Sequence, residues 1–148
     1  MTIIKTKILG GSSLIGVYIE ANNKFLLYPP NLKQTELRKF RTTFDNDFYS
    51  FTLNNSILLG VYTASNKYGI VVPHIITDEE KKDLRIFLNK VDDSINIGVL
   101  KSIDNAYGNL ILCNDKGAII SSLLKDYQSE IENILNVETV VFDFADTY

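Results

Sequence analysis

The sequence holds one cysteine, Cys113, and one histidine, His74. A thiolate nucleophile needs a base within hydrogen-bond reach and a third group that orients the base. His74 follows Pro73 at the end of an apolar run, and no spacing in the sequence fixes a carboxylate beside it. Cys113 closes the apolar run 110–113, where a free cysteine behaves as a small buried hydrophobe. The pair is therefore read as non-catalytic. One Cys and one His also leave too few soft ligands for a zinc site, so neither metal nor organic cofactor is expected. Gly10-Gly11-Ser12-Ser13 resembles a fragment of a phosphate loop. It lacks the G-x-x-x-x-G-K-[ST] spacing, and a strand rather than a helix is expected after it, so it reads as a turn.

Charge excludes more than it identifies. The net charge of −3 at pH 7 hides a gradient: +3 over residues 1–54, zero over 55–102 and −6 over 103–148. Only Arg38, Arg41 and Arg85 are arginines, and there is no tryptophan. A protein that owes its affinity to phosphate contacts carries a larger excess of Lys and Arg. Lys33, Arg38, Lys39 and Arg41 gather on one expected helix, and Asp126, Glu130 and Glu132 on another. Both clusters read as solvated faces, the basic one with an RNA-facing alternative. A single cysteine suits a reducing compartment. No run approaches the ~20 apolar residues of a membrane-spanning helix, and no secretory signal is apparent at the N-terminus, so a cytoplasmic location is expected.

What must position these residues is a repeat. The segments 13–30, 56–74 and 105–121 align with Gly16, Gly60 and Gly108 in register. An asparagine follows each glycine by six residues (Asn22, Asn66, Asn114), then a lysine (Lys24, Lys67, Lys116), with Gly69 and Gly117 matching in the second and third copies. Each copy reads as a β-rich segment (3–9, 48–53, 95–101), a second strand containing the glycine, a hairpin loop where Asn and Gly tolerate φ > 0, and a short third strand. The apolar period then changes from 2 to 3.6. Leu84, Phe87, Leu88 and Val91 form one helical stripe; Leu124, Tyr127, Ile131 and Ile134 form another; Leu37, Phe40 and Phe44 form a weaker one. Thr77 and Glu80 have capping-box spacing. A unit of three strands and a helix cannot bury its apolar face alone, so the units are expected to make one repeat-built domain. Its boundaries are 1–46, 47–92 and 93–136, with the opening strand of a fourth unit in 137–148.

The segments NSILLGVYTASNKYGIVVP, TDEEKKDLRIFLNK and AYGNLILCNDKGAII carry a resemblance to the translation initiation factor 6 family, ribosome anti-association factors of archaea and eukaryotes. The resemblance implies an α/β fold of pentein type, a β/α propeller of five pseudo-repeats with strands lining a central channel and helices outside. About three of the five units would be present here. It also implies a non-enzymatic factor that binds the large ribosomal subunit beside the sarcin–ricin loop, through a ribosomal protein and some rRNA. Such a factor blocks joining of the small subunit and takes part in large-subunit maturation. Other pentein-type proteins are hydrolases and transferases of guanidino compounds with a Cys nucleophile, which is the competing reading of Cys113. The candidate ribosome-binding residues are Asn109, Asn66, Asn114, Asn22, Lys67 and Lys116. Asn109 stands out because the equivalent positions, Val17 and Val61, are apolar. In a strand its amide would need a partner, since leaving it buried and unpaired costs about 1–3 kcal/mol. Exposed apolar ends of an open array are expected to give either self-association or order that depends on the ribosome or on the fourth and fifth repeats.

Overall fold

A computed structural model describes residues 4–144 of the chain. Three small sheets follow one another along it, each with an antiparallel hairpin and a parallel third strand. The first pairs β1 (Glu20–Ala21) with β2 (Phe25–Tyr28) antiparallel, and β2 with β3 (Asp47–Ser50) parallel. The second repeats this with β4 (Ala64–Ser65), β5 (Gly69–Pro73) and β6 (Asn96–Leu100). The third has β7 (Ile111–Cys113), β8 (Ala118–Ile120) and β9 (Thr139–Val141). Each parallel pair needs a crossover, and the crossovers carry α2 (Gln34–Arg41), α4 (Asp78–Val91), and a 3-10 turn Ser122–Tyr127 leading into α6 (Gln128–Leu135).

The glycines of the repeat do not lie in strands. Gly16, Gly60 and Gly108 sit in one-turn helices, α1 (Ile15–Tyr18), α3 (Leu59–Tyr62) and α5 (Tyr107–Leu110). An apolar run this short has no periodicity long enough to tell strand from helix. Contact between successive one-turn helices decides it. A Cβ on Gly60 would lie 1.9 Å from the Gly16 carbonyl oxygen, and one on Gly108 equally close to the Gly60 oxygen. Residues 4–9 form no strand, only a bridge between Ile8 and Ser12 closed by Gly10 and Gly11, both at positive φ. The segments expected to open the second and third units, and the one at 137–144, instead donate β3, β6 and β9 to the preceding hairpin.

The stripes of α4 and α6 are where the periodicity places them, and that of α2 holds for Leu37 and Phe40 but not for Phe44, which lies beyond the helix. Leu84 and Leu88 of α4 are buried against Phe25, Leu27, Ile70 and Val72. Ile131, Ile134 and Leu135 of α6 pack with Leu124, Val71 and Leu100. Leu37 and Phe40 of α2 pack on Ile8 and Leu26, while Phe44 is largely exposed. The capping box of α4 is formed: Thr77 Oγ1 accepts from Glu80 N at 3.1 Å and Glu80 Oε2 from Thr77 N at 3.0 Å. The same carboxylate accepts from the backbone of Asn54 and Asn55, which hold a left-handed turn, so it ties the start of α4 to the preceding loop.

Candidate functional site

The three loop asparagines share one local geometry. Asn22 Oδ1 accepts from Lys24 N (2.8 Å) and Phe25 N (3.1 Å). Asn66 Oδ1 does the same with Tyr68 and Gly69, and Asn114 Oδ1 with Lys116 and Gly117. None of these residues, nor Gly69 or Gly117, has positive φ. The reason for asparagine is therefore not a left-handed backbone but a side-chain acceptor that closes the turn.

The other end of the amide joins one sheet to the next. Asn22 Nδ2 donates to Ser65 Oγ (2.9 Å) and to the Asn66 carbonyl (3.0 Å). Asn66 Nδ2 donates to the Asn114 carbonyl (3.1 Å) and to Leu135 O at the end of α6 (2.8 Å). Asn66 is buried, Asn22 half-buried and Asn114 exposed. Two of the three loop asparagines are thus committed to the seams between sheets. Lys67 is half-buried, its Nζ 4.7 Å from the centre of the Tyr68 ring and its backbone N–H bonded to Asp115. Lys116 is exposed. These loops lie on one side, where Asn23 also reaches Asp115 at 2.6 Å.

Asn109 lies in α5 rather than in a strand, and its side chain is exposed. No buried amide has to be satisfied there, because the one-turn helix points this position outward. The basic side chains Lys33, Arg38, Lys39 and Arg41 of α2 are all exposed, with Arg41 stacked 4.8 Å over Phe48. In the acidic group Glu132 does more than meet solvent. Its carboxylate accepts from the backbone and hydroxyl of Thr139, pinning β9 to α6, and these bonds hold its pKa below the ordinary value.

Between the sheets a cavity of about 170 Å³ is lined by Glu20, Thr63, Ser65 and Cys113, with Gly60 and Gly108 in its wall. Sequence reasoning missed Glu20. It lies in a short hairpin strand between Ile19 and Ala21, just before the polar loop, and no local pattern marks it. The residue keeps some solvent access, but its carboxyl is enclosed: burial pushes its pKa from the ordinary 4.5 to about 8, against the opposing bonds from Ser65 and Thr63. Ser65 Oγ donates to it at 2.5 Å. Cys113 Sγ donates to the Ser65 carbonyl at 3.3 Å, and burial together with the neighbouring acids pushes its thiol up to about 12. His74 lies exposed in the turn after β5, outside this cavity. The site thus presents a protonated thiol with no imidazole or cation beside it and with acids that raise its pKa, the reverse of an activated nucleophile. Among the described residues no group of three or more His, Cys, Asp or Glu is placed to hold a metal, and no helix is long and apolar enough to cross a membrane.

Comparison with known proteins matches residues 3–148 to the eIF-6 family. A translation initiation factor 6 from Methanocaldococcus jannaschii is 35% identical over 146 residues, which is 99% of this chain and 64% of that protein. The protein of the same name from Staphylothermus marinus is 38% identical over 144 residues, 97% of this chain and 62% of the relative. The chain thus spans under two thirds of the length of these relatives.

Proposed function

The chain belongs to the eIF-6 family, and from that premise we propose that it is a translation factor that binds the large ribosomal subunit. Bound there, it blocks association with the small subunit and takes part in large-subunit maturation. The observation that carries this reading is a family match running through nearly the whole chain. The three like-built sheets, joined by the same asparagine bonds, support a pentein-type domain containing three of five units around a central channel, with the boundaries given above. Its place of action is the cytoplasm.

The contact surface is assigned to Asn109 and to the loop side carrying Lys67, Lys116 and Asn114, with Asn22 and Asn66 holding that side in shape. Asn109, Asn114 and Lys116 are the exposed members. A surface of this kind binds through a broad interface with a few central anchors rather than through a deep pocket. Non-enzymatic action fits the state of Cys113, whose buried thiol has no imidazole partner, is pushed up by neighbouring acids and donates to a backbone carbonyl. No cofactor is assigned.

Sedimentation of the chain with purified large subunits, followed by addition of small subunits and gradient separation of joined ribosomes, tests the proposal. Co-sedimentation and a dose-dependent loss of joined ribosomes are expected, both weakened in an Asn109→Arg, Lys116→Glu double variant. Failure to co-sediment at near-physiological salt overturns it. Hydrolysis of a guanidino substrate that Cys113→Ala abolishes would put the enzyme reading in its place.

A further inference from the structure

The outer face of α2 carries charges of one sign and no apolar side chain. Residues three and four apart lie in one row on a helix. Gln34, Arg38 and Arg41 form one such row, and Thr35, Lys39 and the C-cap Thr42 the next; all six are exposed. Lys33, at the N-cap, is exposed as well. Leu37 and Phe40 take the opposite face, on Ile8 and Leu26. The one acid of the helix, Glu36, is half-buried and accepts from Lys33 N at 2.9 Å. Asp45 and Asp47 lie beyond the helix end. Among the described residues the one ion pair joins Lys24 to Asp92, so no carboxylate neutralises Lys33, Arg38, Lys39 or Arg41.

Neither packing between units nor the helix dipole accounts for this charge. Counting from the N-caps, Lys82 and Asp83 of α4 stand where Arg38 and Lys39 stand in α2. Both remain exposed although α4 packs on the first sheet and on the second. This is therefore the side of a unit's helix that its neighbours leave open. On α4 that side mixes Asp78, Glu79 and Asp83 with Lys81 and Lys82, whereas on α2 its only charges are positive. Cations in the last turn favour a helix through its dipole. Yet α4 has only Lys90 there and α6 none, against Arg38, Lys39 and Arg41 in α2.

We propose that the outer face of α2 binds the phosphate backbone of RNA without reading its bases. Arg38, Lys39, Arg41 and Lys33 contact phosphate oxygens, with Gln34 and Thr35 as neutral donors beside them. The make-up of the face selects this partner. A protein interface needs aromatic or aliphatic anchors at its centre, and a membrane surface needs an apolar face to insert. The two rows supply neither. No aromatic side chain stands in either row to stack on a base, so contact is confined to the backbone. The choice of RNA over DNA rests on the ribosomal reading; the phosphate chemistry does not. None of the residues assigned to the subunit contact lies on α2.

The test titrates a fluorescein-labelled RNA duplex of about 16 bp and arbitrary sequence with the 148-residue chain, read by anisotropy. At about 50 mM salt, saturable binding at roughly 1–100 μM is expected, with a log–log salt slope of about −3 for three to four phosphates contacted. Arg38→Glu with Lys39→Glu should weaken binding at least about tenfold. Lys81→Glu with Lys82→Glu on α4 changes the net charge equally and should stay within about twofold of wild type. All four side chains are exposed, so circular dichroism should be unchanged; Arg38→Gln with Lys39→Gln serves where charge reversal unfolds α2. No saturation up to about 1 mM chain, an unaltered affinity in the α2 variant, or equal loss in both variants overturns the proposal. Displacement of the duplex by an equal concentration of poly-glutamate does so too, putting an acidic protein in the place of RNA. The Asn109→Arg, Lys116→Glu variant should keep duplex binding, so failure of the subunit contact and failure of this one are read separately.

Discussion

Replacing Glu20 by glutamine should stabilise the protein at neutral pH and flatten part of its pH dependence. The carboxyl has a native pKa of about 8 against an ordinary 4.5. Between those values the folded chain holds a proton that the unfolded chain has released, so stability falls as pH rises. The sign is fixed by the raised pKa: the contribution is fully present below about 4.5, is lost progressively up to about 8, and is constant above that. At pH 7 the loss is about 3 kcal/mol, from about 1.4 kcal/mol for each pH unit above the unfolded pKa. Glutamine removes it while keeping an acceptor for Ser65 Oγ, which donates at 2.5 Å. Its amide N–H groups need a new acceptor in the cavity, so a net gain of about 1–3 kcal/mol is expected. Urea denaturation of both proteins between about pH 4 and pH 9 reads this directly. Wild type should lose stability relative to the variant across the range, the two converging near pH 4. A difference that does not change with pH would refute the reasoning, because it would show that Glu20 has the same pKa folded and unfolded.

Three other outcomes follow from the packing. Gly60→Ala should cost several kcal/mol or prevent folding, since its Cβ would lie 1.9 Å from a backbone oxygen. Gly16→Ala, with nothing within 4 Å, should change the melting temperature little. Asn66→Ala should destabilise by about 2–4 kcal/mol in chemical denaturation, because it leaves the half-buried carbonyl of Asn114 and the buried carbonyl of Leu135 without their donor; Asn114→Ala, which loses only its own turn, should cost about 1 kcal/mol. Cys113 should react with maleimide far more slowly than a free thiol at pH 8, and Cys113→Ser should leave large-subunit binding intact, as its thiol is held near 12.

The repeat, the helices and the family were legible in the residues themselves. Glycine at 60 and 108 is required by close approach of one unit to the preceding one, and the loop asparagines by a turn that needs a side-chain acceptor. Such constraints recur at a fixed spacing and so show in one dimension. The stripes of α4 and α6 are visible for the same reason, because a helix face is set by residues three and four apart. Less was legible of the conformation around the glycines. Four apolar residues fit a strand or a helical turn equally well, and contact with a neighbouring turn more than forty residues away decided for the helix. The ownership of β3, β6 and β9 was hidden likewise, since a parallel pair is joined across a crossover and leaves no local signal. The exposure of Asn109 was hidden as well, since in a strand it would face the core and only the one-turn helix turns it outward. Glu20 shows the limit most sharply. Nothing in its flanking residues Ile19 and Ala21 marks it as a buried acid, yet Thr63, Ser65 and Cys113 arrive from the next two units and close over its carboxyl. Which acid loses its water is a property of the assembled units, because desolvation depends on everything nearby in space and on nothing nearby in sequence.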